Sequence, residues 1–270
     1  MRGTSQESRD EVLRGFDPVA SAAGKDGVAL AAQLFTVVDA LDGSGSLRRA
    51  LTDPARPGKD KGELVDKLFA SLDSRVRDAV RAFVAQRWSA EGDLADSITE
   101  AGYTALLATA ESTGKLDAVE EQLFRVERAL TAERELLTAL GDRTAPRASR
   151  IGLLKGVLGG KLEPVTDAVL ERAVAAPRGA RLITTIRHLV VMAAERRGRG
   201  VARVTAAVEL SAAQRKRLAG ILKAAYGREI QINVAVDPQV LGGIKVQVGS
   251  EVVDGTVLAR LDDARRRLVG

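Results

Sequence analysis

Gly156-Val157-Leu158-Gly159-Gly160-Lys161 comes nearest to chemistry in this sequence, because a phosphate loop sets a lysine behind glycines whose bare backbone can approach an anion. The pattern fails twice. Lys155 stands where the first glycine is required, and Leu162 replaces the Ser or Thr that would meet magnesium. Gly198-Arg199-Gly200 begins like a dinucleotide fingerprint, but Arg203 takes the third glycine's place and the preceding segment reads as a helix, not a strand. His188 is the only histidine and there is no cysteine, so a metal could be held only through carboxylates, which show no ligand spacing. A helix-surface or satisfied histidine is expected there. Glu120-Glu121 and Asp262-Asp263 are adjacent pairs that diverge around a helix and share no catalytic focus. No catalytic, cofactor-binding or metal-binding residue is expected.

Net charge is +5 with a pI near 9.7, which raises the alternative of a basic helical nucleic-acid-binding adaptor. The runs Arg196-Arg197-Gly198-Arg199, Arg215-Lys216-Arg217 and Arg265-Arg266-Arg267 lack interleaved aromatics on which bases could stack, so solvated helix faces are expected instead. Trp88 and Tyr226 are isolated and read as packing anchors. No nucleic-acid partner is expected. No stretch approaches the ~20 apolar residues that cross a bilayer, and no secretion signal opens the chain.

The elements that would position any site are mostly helical. Aromatics are 3% of the 270 residues while Ala, Leu and Val abound, a mix suited to helix-on-helix packing. Sliding the chain by 89 positions reveals a repeat: Gln33-Leu34-Phe35 falls on Gln122-Leu123-Phe124, Leu47 on Leu136, Asp53 on Asp142, Pro57 on Pro146 and Val80 on Val169. Leu30, Leu34, Val37 and Leu41 share one helical face, as do Val119, Leu123, Val126 and Leu130. Each first helix ends in a Pro- or Gly-bearing turn, followed by a second helix; in the later copy this carries Ile151, Leu154, Val157 and Leu158. Leu182, Ile186, Leu189 and Ala193 mark a longer closing helix.

From Val201 the period becomes two, with Val204, Ala206 and Val208 on one side of a strand. Ser211 and Gln214 form a capping-box signature for a helix whose apolar face is Leu218, Ile221, Leu222 and Ala225, ended by Gly227. Ile230 to Val236 and Ile244 to Val248 alternate as two further strands around Asp237-Pro238-Gln239-Val240-Leu241-Gly242-Gly243, where paired glycines admit backbone angles closed to larger residues. Asp254 is placed to cap a last helix through Val257, Leu258, Leu261 and Leu268. The expected fold is mainly α: a duplicated helical bundle followed by a small α/β domain with a short mixed sheet, in the order strand, helix, strand, strand, helix.

Asp237, Leu241, Gly242, Gly243, Ile244, Val246 and Gly249, then Asp254, Gly255, Arg260 and Leu261, closely resemble the C-terminal signature of the F-type ATP synthase delta subunit (oligomycin-sensitivity-conferring protein) family. The likeness extends over about residues 100 to 270, through Tyr103-Thr104-Ala105-Leu106-Leu107 and Gly114-Lys115-Leu116. The additional first hundred residues look like the enlarged type found in actinobacteria. The resemblance implies a non-catalytic stator part at the cytoplasmic face of the cell membrane, one copy per complex, touching the membrane only through its partners. It implies three regions: 1–99, an extra partial repeat; 100–200, a helical bundle binding N-terminal segments of the alpha subunit on the catalytic head; and 201–270, gripping the peripheral-stalk b subunit. By the same resemblance, Tyr103, Leu106, Leu107, Val165, Val169 and Leu170 are candidate head-docking positions, with internal core as their competing role.

Overall fold

The structure is a computed structural model that describes residues 3–178, 181–199, 201–226, 230–237, 240, 242–248 and 251–255. Its contacts divide the chain into two compact units, Met1–Met192 and Ala193–Gly270.

The first unit is helical throughout. Its helices are α1 (Gly3–Ala22), α2 (Gly27–Gly43), α3 (Gly45–Thr52), α4 (Gly58–Leu68), α5 (Ser74–Ala85), α6 (Glu91–Ser112), α7 (Leu116–Ala132), α8 (Arg134–Gly141), α9 (Arg147–Leu158) and α10 (Pro164–Ala175); α11 (Leu182–Arg199) runs across the unit boundary. The repeat is visible in the starts: α7, α8 and α9 begin 89 residues after α2, α3 and α4. The same shift lays α1 along α6, and α6 along α11. Thus α6 closes the first bundle and opens the second. Fourteen of its 22 residues are buried, more than a one-sided helix needs, because it has a bundle on each side. The division expected at 99/100 falls inside this helix.

The apolar faces read from the sequence form the core. Leu30, Leu34, Val37 and Leu41 are fully covered, as are Leu182, Ile186, Leu189 and Ala193 to within a few per cent. Phe83 and Leu140 are buried likewise. The face of α9 is narrower than expected: Leu154 is buried and Ile151 and Leu158 are half-buried, but Val157 is exposed, and the cation Arg150 takes an inside position. Its guanidinium reaches the carbonyls of Val174 and Ala175, the free acceptors at the end of α10.

The second unit contains a sheet in the order β2-β1-β3-β4, formed by β1 (Val201–Ala206), β2 (Gln231–Val236), β3 (Ile244–Val248) and β4 (Glu251–Asp254). Helix α12 (Ala212–Tyr226) crosses over between the parallel pair β1 and β2, while β3 pairs antiparallel with β1 and with β4. Ala202, Val204, Val246 and Val248 meet Leu218 and Leu222 of α12 in the core. The capping box is formed: Ser211 N–H donates to Gln214 Oε1 at 2.8 Å, and Gln214 N–H to Ser211 Oγ at 3.2 Å.

Three expectations for this unit are corrected. β1 stops at Ala206, leaving Val208 70% exposed beyond it. On α12, Ile221 and Ala225 face outward because the four-stranded sheet covers only the side holding Leu218 and Leu222. β4 is an additional strand, too short for Glu251-Val252-Val253-Asp254 to show an alternation. Gly227 and the final helix expected through Val257, Leu258, Leu261 and Leu268 lie outside the described residues.

Candidate functional site

Two regions carry the positions singled out by sequence. The first is the joint where α6 receives α2 and α10. The apolar face of α6 has Gly102 at its closest point, and an added Cβ there would stand 2.3 Å from Phe35 Cε1. Only a residue without a side chain admits the Phe35 ring so closely. That ring meets Tyr103 edge to face at 5.6 Å between centroids. The Arg172 guanidinium of α10 lies over the same ring, 4.6 Å from its centroid.

Charge closes the joint. Arg172 donates to Asp39 at 2.6 Å, and Arg147 of α9 reaches the same carboxylate at 3.1 Å. Burial would raise the Asp39 carboxyl, but hydrogen bonds and charge from Arg172 and Arg147 outweigh it and hold the group below its usual range. Arg178, between α10 and α11, binds both Asp42 and Asp96. Burial opposes its charge, yet the two carboxylates win and raise its pKa.

The six candidate docking residues all lie in this region, and all are inside it. Tyr103 is 5% exposed, Val165 7%, and Leu106, Leu107, Val169 and Leu170 at most 1%. Burial also pushes the Tyr103 phenol upward. Sequence reasoning did not find Asp39, Arg172 or Arg178, whose partners are far apart in the chain. It did find Phe35, through its match with Phe124.

The second region is the C-terminal signature. Asp237 donates its N–H to the Ala206 carbonyl at 2.9 Å and accepts from Val240 N–H at 3.1 Å, starting a turn after β2. Gly242 and Gly243 have φ of 127° and 80°, as the expected glycine turn requires, and deliver the chain into β3. Ile244 and Val246 face the core; Gly255 donates its N–H to the Ile244 carbonyl at 3.0 Å. Asp254 ends β4 opposite Lys245. Leu241, Gly249, Arg260 and Leu261 lie outside the described residues. Opposite α12, the sheet presents Arg203, Thr205, Lys245 and Gln247 along a shallow groove. The described signature residues therefore shape the sheet and its turn.

The remaining candidates behave as surface or packing groups. Lys161 turns back to donate to the Val157 carbonyl at the end of α9, whereas a phosphate loop opens a helix. His188 is 51% exposed, 3.8 Å from Glu100 Oε1. Trp88 stacks on Phe83 and donates to its carbonyl at 2.9 Å, while Tyr226 packs against the sheet core. Arg215, Lys216 and Arg217 are exposed as expected, but Arg196 is buried and engaged, so its run is not wholly solvated. Among the described residues, no helix is long and apolar enough to cross a membrane.

Residues 103–268 match the family model described as the ATP synthase delta (OSCP) subunit. An ATP synthase subunit delta of Beutenbergia cavernae is 48% identical, with the whole of both chains covered. That of Streptomyces griseus is 42% identical, also over all of both chains, and that of Kineococcus radiotolerans 40% over 99% of this chain and 98% of its own. The likeness thus runs through the extra repeat as well as the signature, and the chain belongs to the ATP synthase delta (OSCP) subunit family.

Proposed function

We propose that the chain is the peripheral-stalk, or stator, subunit of a proton-translocating F1Fo ATP synthase, linking the catalytic head to the membrane sector and resisting the rotor's torque. The observation that carries this reading is the match, without loss of either end, to curated delta subunits at 48% and 42% identity. The construction supports it: broad packed faces and a helix common to two bundles suit a mechanical joint.

In this reading the subunit performs no catalysis itself and works at the cytoplasmic face of the cell membrane, one copy per complex. The bundle of residues 100–200 takes N-terminal segments of the alpha subunit, residues 201–270 take the b subunit, and residues 1–99 enlarge the head-side bundle. Tyr103, Leu106, Leu107, Val165, Val169 and Leu170 contribute by fixing α6 and α10 from within, while their exposed neighbours make the contact. A tagged full-length chain, used to pull down from detergent-solubilised membranes of its source, is expected to recover head subunits and the b subunit together. Recovery of neither would refute the stator role.

A further inference from the structure

The repeat builds one face twice, and among the described residues only the first is covered. In the first copy this face comprises Phe35 and Asp39 of α2 with Gly102 of α6, and its cover is α10, bringing Arg172 onto both the ring and the carboxylate. A shift of 89 puts Phe124 on Phe35, Arg128 on Asp39 and Val191 on Gly102. In the first copy Gly27 abuts Thr109 while Phe35 abuts Gly102, so α2 and α6 run antiparallel. The Glu127–Arg187 ion pair at 2.8 Å, linking α7 to α11, fits the same antiparallel register. Valine at 191 leaves no recess for the ring. Phe124 is consequently 48% exposed and Val191 51%.

Charge indicates what covers the second face. Arg128 lies 6.0 Å from the Phe124 ring centroid and makes no ion pair among the described residues. It replaces Asp39, while Thr131 and Thr185 replace Asp42 and Asp96. The acidic first face receives arginines; the second lacks those three carboxylates and offers a cation. In a second copy the carboxylates of the first face, Asp39, Asp42 and Asp96, are already taken by Arg172 and Arg178 of its own chain, so that face offers Arg128 no partner. We propose that Phe124, Arg128 and Val191 form a docking face for an amphipathic helix of another ATP synthase subunit, with a carboxylate of that helix opposite Arg128. This assignment rests on the stator reading and adds to it a surface and the chemistry of its partner.

The cysteine-free chain permits a direct test. Phe124→Cys in the full-length protein, labelled with a benzophenone photo-cross-linker, is incubated with ATP synthase stripped of its delta subunit; Val252→Cys on β4 serves as a second probe. The expected result is a cross-link from position 124 to an acidic helix of another subunit, identified by mass spectrometry. Its yield should fall at least tenfold when Arg128→Glu is added and persist with Arg128→Lys, at equal melting temperatures. An unchanged yield with Arg128→Glu refutes the acidic partner. Capture of a second copy at 124, or of nothing there while position 252 captures ATP synthase subunits, refutes the face and leaves the stator reading standing. Failure of both probes refutes the stator reading itself.

Discussion

At the scale of single residues, the two copies repeat functions as well as identities. Gln33 Oε1 accepts the N–H of Asp73, which caps α5; Gln122 Oε1 accepts that of Glu163, which holds the same position before α10 without a side-chain bond to its first turn. Buried cations also correspond, Lys61 in α4 and Arg150 in α9. Asp73 accepts Arg75 N–H at 2.9 Å and its guanidinium at 2.8 Å, holding the carboxyl down at about 2. Because the folded value lies below the unfolded one of about 3.9, this stabilisation is present above about pH 4 and disappears as pH falls through about 2. Asp73→Asn should keep the cap but flatten the acid limb, read as a smaller loss of urea-unfolding free energy between pH 5 and pH 2.5. Removing Asp39 would strand the buried charge of Arg172. Asp39→Ala is therefore expected to cost about 1–3 kcal/mol, and the added change Arg172→Met to recover part of it. Denaturant titration of the two variants measures both. The glutamine match was legible in the sequence because the repeat aligned it. The Asp39–Arg172 pair was not, since its members lie 133 residues apart and occupy non-equivalent places in the repeat.

At the scale of elements, amphipathic spacing located α2, α7 and α11, and the capping box located the start of α12. Ser211→Ala should cost about 1 kcal/mol and lower the melting temperature of the second unit, followed by circular dichroism. Helix α1 had little signal. Two of its five buried residues are Ser5 and Ser8, which bind Asp93 Oδ2 and the Arg87 carbonyl instead of lining an apolar stripe. The six candidate docking positions show another limit: apolar spacing says that a helix face is covered, but not what covers it. The close approach of α2 and α6 depends on Gly102, whereas α11 has Val191 at the matching position. Gly102→Val should overpack the joint and cost about 1–3 kcal/mol by chemical denaturation.

At the scale of the whole molecule, duplication was legible from the constant offset, but the helix common to both copies was not. The sequence match faded before reaching α6, and a repeat read as tandem units implies a border between them. Cutting at the expected border would deprive both bundles of a wall. A fragment of residues 1–99 should therefore melt without a cooperative transition, whereas 1–114, with α6 complete, should retain one in calorimetry. The fourth strand was similarly hidden, because β4 is too short to announce itself.

The helix common to both bundles also determines where the subunit can yield under strain. Its 22 residues make a continuous hydrogen-bonded rod about 33 Å long, and no tether joins the bundles that could stretch like a spring. Elastic compliance, if a rotary cycle stores any in this subunit, has to reside outside that rod.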